Sequence, residues 1–187
     1  MRTKIIFSLV LSTALAGCVA PPPINFSVPN VGISNAKIDA EVKTITVTLA
    51  RPDEAKGNIP MGLETLTNLW KESLQEAIDR MAIFKDDASK KISIQVHVLA
   101  FDIPVAGLSM DTKSIARYEI IDRSNGSIIY TQDITAEGIV PFDYAFVGMV
   151  RGRESINRSV QNNIKQFLQA LETVDVNKPM FPSKVRK

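Results

Sequence analysis

Cysteine and histidine are nearly missing from this chain: Cys18 and His97 are the only examples in 187 residues. A single cysteine rules out any intramolecular disulfide, so the fold must be held by its apolar core. One histidine leaves carboxylates as the main resource for metal ligation, and Asp86-Asp87, Asp102 and Asp111 lack the spacing of a calcium loop. There is no glycine-rich phosphate loop, no nucleophile elbow, and no repeated hexapeptide of the kind a left-handed β-helix acyltransferase shows. Ser93 shares a strand face with His97 but lies four residues away, about 13 Å along a strand, too far for a nucleophile–base pair. Long apolar runs are also missing. Ile5–Leu11, broken only by Ser8, is too short to span a bilayer as a permanent helix.

What is present begins at the N-terminus. Arg2 and Lys4 precede the Ile5–Leu11 run, and small residues lead to Leu15-Ala16-Gly17-Cys18. This is the layout of a secretory signal, and the last four residues resemble the bacterial lipobox. That resemblance implies diacylglycerol on the Cys18 thiol, cleavage before Cys18 and acylation of the new amino group. It also takes the one thiol out of reactive-cysteine chemistry. Removing residues 1–17 takes away two bases and no acid, leaving 20 basic against 20 acidic residues. A balanced chain offers no electrostatic case for nucleic-acid binding. Val19 follows the cysteine, not the aspartate associated with inner-membrane retention, so the expected location is the outer membrane, facing the periplasm.

The remainder divides into a lipidated tether over residues 18–41, one domain over 42–172 and a flexible basic tail over 173–187. The tether carries Pro21-Pro22-Pro23 and Pro29 and reads as semi-rigid chain. Val42–Leu49 alternates Ile45, Val47 and Leu49 with Thr44, Thr46 and Thr48, the pattern of a half-buried strand. From Leu63 to Phe84, Leu66, Trp70, Leu74, Ile78 and Met81 make one helical stripe. Ile92–Val98 alternates again and changes phase at Val98-Leu99, which predicts a bulge or a strand covered on both faces. Ala116, Tyr118 and Ile120 lie on a third strand. Asn125-Gly126 predicts a hairpin turn, and Ile128, Tyr130 and Ile134 lie on the returning strand. Ile156, Val160, Ile164, Phe167 and Leu171 make Glu154–Leu171 a second amphipathic helix.

This order predicts an α+β two-layer sandwich: a mostly antiparallel sheet of about four strands with two helices packed on one face. The lipobox, the proline run, the helix containing Trp70-Lys71-Glu72-Ser73-Leu74-Gln75-Glu76-Ala77-Ile78, the Asn-Gly hairpin and the closing helix resemble small outer-membrane auxiliary lipoproteins. YajG-type lipoproteins and PqiC-type auxiliary components of ABC transport systems are the nearest shapes, over Val42–Leu171. The resemblance implies a non-enzymatic, lipid-anchored partner of an envelope transport or assembly system, with no catalytic motif to carry across. Two other readings stay open: an envelope enzyme acting on lipid or glycan through carboxylates, such as an acyltransferase, and a structural lipoprotein touching the cell wall through Lys178, Lys184, Arg186 and Lys187.

Chain direction places a candidate binding surface. If the second strand runs up, the connections Ile103–Met110 and Gly138–Val150 emerge at one end of the sheet. Both are unusually apolar for loops. They gather Val105, Leu108, Met110, Phe142, Tyr144, Phe146 and Met149 beside Arg151 and Arg153, an apolar mouth with a basic rim. The expected partners are the bacterial membrane through the anchor, an envelope protein complex, and a lipid ligand; no nucleic acid, metal or cofactor is expected beyond the acyl chains on Cys18.

Overall fold

Alternation of β-branched residues at period two and apolar stripes at helical spacing build two layers in the computed structural model. It describes residues 21–178 and Met180, so Cys18 and the end of the basic tail lie outside the described residues. In chain order the elements are β1 (Glu41–Leu49), α1 (Glu64–Met81), β2 (Lys91–Asp102), β3 (Met110–Asp122), β4 (Ile128–Val140) and α2 (Gly148–Leu171), with one turn of 3-10 helix at Phe142–Tyr144 before α2. The sheet order is β1-β2-β3-β4. β1 pairs parallel with β2 through the α1 crossover, and the other two pairs are antiparallel. Both helices cover the same face, as the sequence pattern predicts.

That face is apolar throughout its centre. Ile45 and Val47 of β1, Ile94 and Val96 of β2, Tyr118 and Ile120 of β3, and Ile134 of β4 meet Trp70, Leu74 and Ile78 from α1 and Val160, Ile164 and Phe167 from α2. Tyr118 and Phe167 stack with ring centroids 4.2 Å apart. The predicted irregularity in β2 is a bulge. The register shifts between Val98 and Ala100, and Leu99 is the extra residue. Its stretch is also covered on both faces, since Leu99, Ala100 and Phe101 are all fully buried, with Gly57 lying over Ala100. The hairpin turn forms at Asn125-Gly126, with Gly126 at φ 72°, where glycine relieves the strain of a left-handed backbone.

Besides the early start of β3 at Met110, three stretches differ from the sequence reading. Residues 24–40, expected to belong to the tether, form a strap laid along the helix layer. Phe26 and Ala40 are fully buried and Val28 and Ile38 nearly so. Phe26 meets the Trp70 ring edge-on at 6.3 Å. Asn25 N–H donates to Asn157 Oδ1 of α2, Ser27 Oγ donates to Glu76 of α1, and Ser34 N–H donates to Met81 O. The two helices therefore close over a third piece of chain, which two-helix patterning cannot reveal. α2 begins at Gly148, six residues before Glu154. Residues 174–176, placed in the flexible tail, are packed: Val176 is buried, and Met180 N–H donates to Ile128 O.

Candidate functional site

The two apolar connections do emerge together. β2 and β4 run toward one end of the sheet and β3 leaves it, so the β2–β3 loop (residues 103–109) and the β4–α2 connection (141–147) share that end with the start of α2. We call this end the tip. Its side chains fall into two groups. Val105, Leu108, Phe146 and Met149 are open to solvent, at 102%, 77%, 88% and 64% exposure, and Phe142 and Tyr144 are about half exposed. Met110 and Arg151, assigned to the same surface from sequence, are instead buried at 6% and 4% exposure.

The burial of Arg151 corrects the expectation of a basic rim. Its guanidinium Nη1 donates to Ala145 O at 2.6 Å and Phe146 O at 2.9 Å, and Nη2 donates to Gly107 O at 3.2 Å. The same group lies 4.9 Å from the centre of the Phe142 ring, a cation–π arrangement. Among the described residues no carboxylate pairs with it; carbonyl dipoles and an aromatic face carry the charge. One side chain from the first turn of α2 thus ties both apolar loops together. Loops with mostly exposed side chains would otherwise lose their shape to chain entropy. Arg158 acts similarly: Nε pairs with Glu154 at 2.8 Å, Nη1 donates to Ile139 O, and the guanidinium sits 5.0 Å from the Tyr144 ring. Of the three arginines, only Arg153 is exposed. An open cleft between the loops and α2 is lined by Ile103, Pro104, Val105, Met149 and Gly152.

A second arrangement was not visible from sequence. Thr112, Ser114 and Tyr118 on β3 face Ser155, Ser159 and Asn163 on α2, all buried. Thr112 and Ser155 hydroxyls meet at 2.7 Å, Ser159 Oγ donates to Ser114 Oγ at 2.8 Å, and Tyr118 OH donates to Asn163 Oδ1 at 2.9 Å. Burial pushes the Tyr118 phenol far above its usual range. The network is satisfied and closed to solvent, so it sets the seating of α2. Small polar residues at four-residue spacing on α2, Ser155, Ser159 and Asn163, were the available signal.

The side chains considered for catalysis stay apart. His97 lies on the open sheet face, 3.3 Å from Thr48 Oγ1, while Ser93 accepts from Thr44 and Arg123. On the same face Arg117 and Lys56 converge on Asp133 and hold its carboxyl below the usual carboxylate range, Arg117 contributing most. Among the described residues no three His, Cys, Asp or Glu side chains come close enough to hold a metal ion. No helix among them is long and apolar enough to cross a membrane.

No protein-family model matches the chain, and no curated protein matches it in sequence. Solved structures of similar shape exist. A protein of family DUF330 from Xanthomonas campestris superimposes with a TM-score of 0.49 at 9% identity, covering 82% of this chain and 96% of that one. A hypothetical protein from Chlamydia trachomatis gives 0.48 at 12% identity over 74% and 98%. A minor lipoprotein from Acinetobacter baumannii gives 0.42 at 11% identity over 70% and 92%. At these identities and scores the likeness is one of general shape and assigns neither family nor activity.

Proposed function

We propose that this chain is a lipid-anchored lipoprotein of the bacterial envelope that works by binding, as a non-enzymatic component of a transport or assembly system of the YajG or PqiC type, at the outer membrane. The observation that carries the reading is the tip: exposed apolar side chains on two loops that a buried Arg151 holds in one shape. A monomeric domain does not ordinarily hold such residues open to water in one place unless they meet something. The lipobox supplies the anchor and the strap ties the domain to it. Two substitutions test the two halves of the proposal in a strain lacking the native copy. Cys18→Ser should incorporate no labelled fatty acid and leave the precursor uncleaved. Phe146→Asp, at an exposed position, should keep the wild-type Tm and membrane fractionation but fail to restore envelope function. Equal fatty-acid labelling of Cys18→Ser overturns the anchor. Full complementation by Phe146→Asp overturns the tip as working surface.

A further inference from the structure

The strap leaves little free chain before it. Its course beside α2 is set by Asn157, whose Nδ2 donates to Pro23 O at 3.1 Å and whose Oδ1 accepts from Asn25 N–H at 2.9 Å. One turn further on, Gln161 Nε2 donates to Asn25 O at 3.0 Å. Residues 23 to 25 thus descend α2 in the direction 157 to 161, away from the tip, and the chain before Pro23 leads toward it. Asn157 is nine residues from Gly148, the first residue of α2, about 14 Å along the axis. Between Cys18 and Pro21 there are only Val19 and Ala20, so the Cys18 Cα lies within about 11 Å of Pro21 by the reach of extended chain. A free tether from 18 to 41 would let the domain face any direction; a chain docked from Ile24 onward does not.

The five residues from Pro23 back to Cys18 are thus long enough, at about 17 Å of extended chain, to reach the end of the domain that is most apolar. Nine of the eleven large apolar side chains exposed among the described residues lie at the tip or on the adjoining β1–α1 and β4 segments. The opposite end carries the Asp86-Asp87 turn, Lys90 and the Asn125-Gly126 hairpin. We propose that the occupant of the tip is the bilayer surface itself: Val105, Leu108, Phe142, Phe146 and Met149 seat in the headgroup–acyl boundary into which Cys18 is anchored, and the strands stand on end above it. This rests on the lipid anchor proposed above. Seating is apolar more than ionic, because the exposed charges at this end are mixed, with Asp53, Asp102, Asp111 and Asp143 outnumbering Arg51 and Arg153, and offer no net attraction to an anionic surface. Such side chains reach about 5–10 Å into the boundary, and Tyr144, half exposed, is of the amphipathic type that suits the wet side of it.

Acylation of the one native cysteine makes an introduced cysteine the sole labelling site. The full lipidated chain carrying Phe146→Cys, or Ser89→Cys at the far end, is labelled with a polarity-sensitive fluorophore and reconstituted into vesicles of phosphatidylethanolamine and phosphatidylglycerol. Leu108→Cys serves as a second tip site should Phe146→Cys lower the Tm. The tip labels should shift to the blue and lose about half or more of their emission when nitroxide lipid is included, at low and at molar salt alike. The Ser89→Cys label should not respond. A chain that floats with the vesicles while its tip labels stay unquenched overturns the bilayer proposal and leaves the anchor intact. A blue shift without lipid quenching points to a protein partner or a second copy and likewise overturns it, as does quenching that disappears in salt. A chain that fails to float overturns the anchor and this proposal with it.

Discussion

At Gly138 the backbone of β4 runs so near α2 that an added Cβ would lie 2.0 Å from Ser155 O and 2.4 Å from Ser159 N. Both are main-chain atoms of a helix and cannot swing aside, so the helix itself must move. Gly138→Ala should cost about 3 kcal/mol or more in urea unfolding, the upper range for overpacking a well-filled site. Gly152→Ala is the matched control. It lies in α2 with nothing within 4 Å of the new Cβ, and should stabilise by up to about 1 kcal/mol. Equal effects would mean that α2 is not seated on Gly138. At the other end of the sheet, Asp122 is held down to about 2 by Lys90 and by the hydroxyl and N–H of Ser124. An acid depressed in the folded chain contributes stability above its unfolded value, and that stability is lost as pH falls through the folded one. Wild type should therefore be more stable than Asp122→Asn at pH 6, and the gap should close from about pH 4 down to about pH 2. A gap that persists at pH 2 would place the acid limb on another carboxylate.

The strap changes what each helix does. α1 and α2 do not simply share a seam: Phe26 fills the groove against Trp70, Asn157 and Gln161 hold the backbone of Pro23 and Asn25, and Glu76 accepts from the Ser27 hydroxyl. Phe26→Ala should cost about 3–5 kcal/mol in equilibrium unfolding, the range for emptying a buried aromatic site. A free tether would predict no change, so the measurement decides between them. Gln161, an unremarkable polar position on the helical wheel, is on this account a strap ligand. α2 also guards the open edge of the sheet. Arg158, Asn162 and Gln166, spaced by four, donate to the outward carbonyls of Ile139, Glu137 and Thr135 on β4. An edge strand with free carbonyls invites pairing with another chain, and a row of long side chains one turn apart is placed to occupy it.

For the molecule as a whole, periodicity carried a great deal. The α+β class, the two helices on one face, the bulge near Val98 and the Asn-Gly turn all depend on local repeats of apolar residues, and burial of those repeats has one economical solution. Chain direction alone brought the apolar loops to a common end. Three features depended on residues far apart in sequence. The strap looked like linker because its apolar residues have no period; only two helices placed a groove's width apart make Phe26 a core residue. The start of β3 was hidden because Thr112 and Ser114 are polar, and their burial makes sense only opposite Ser155 and Ser159. Arg151 looked like a surface cation because its partners are backbone carbonyls of two loops, and carbonyls leave no mark in a sequence. By itself, then, the sequence determined the layers, since apolar periodicity is a local code. Tertiary structure alone decided which polar groups are internal and how closely residues 24–40 are bound to the helices, because both depend on partners that meet only when the sheet and helices close.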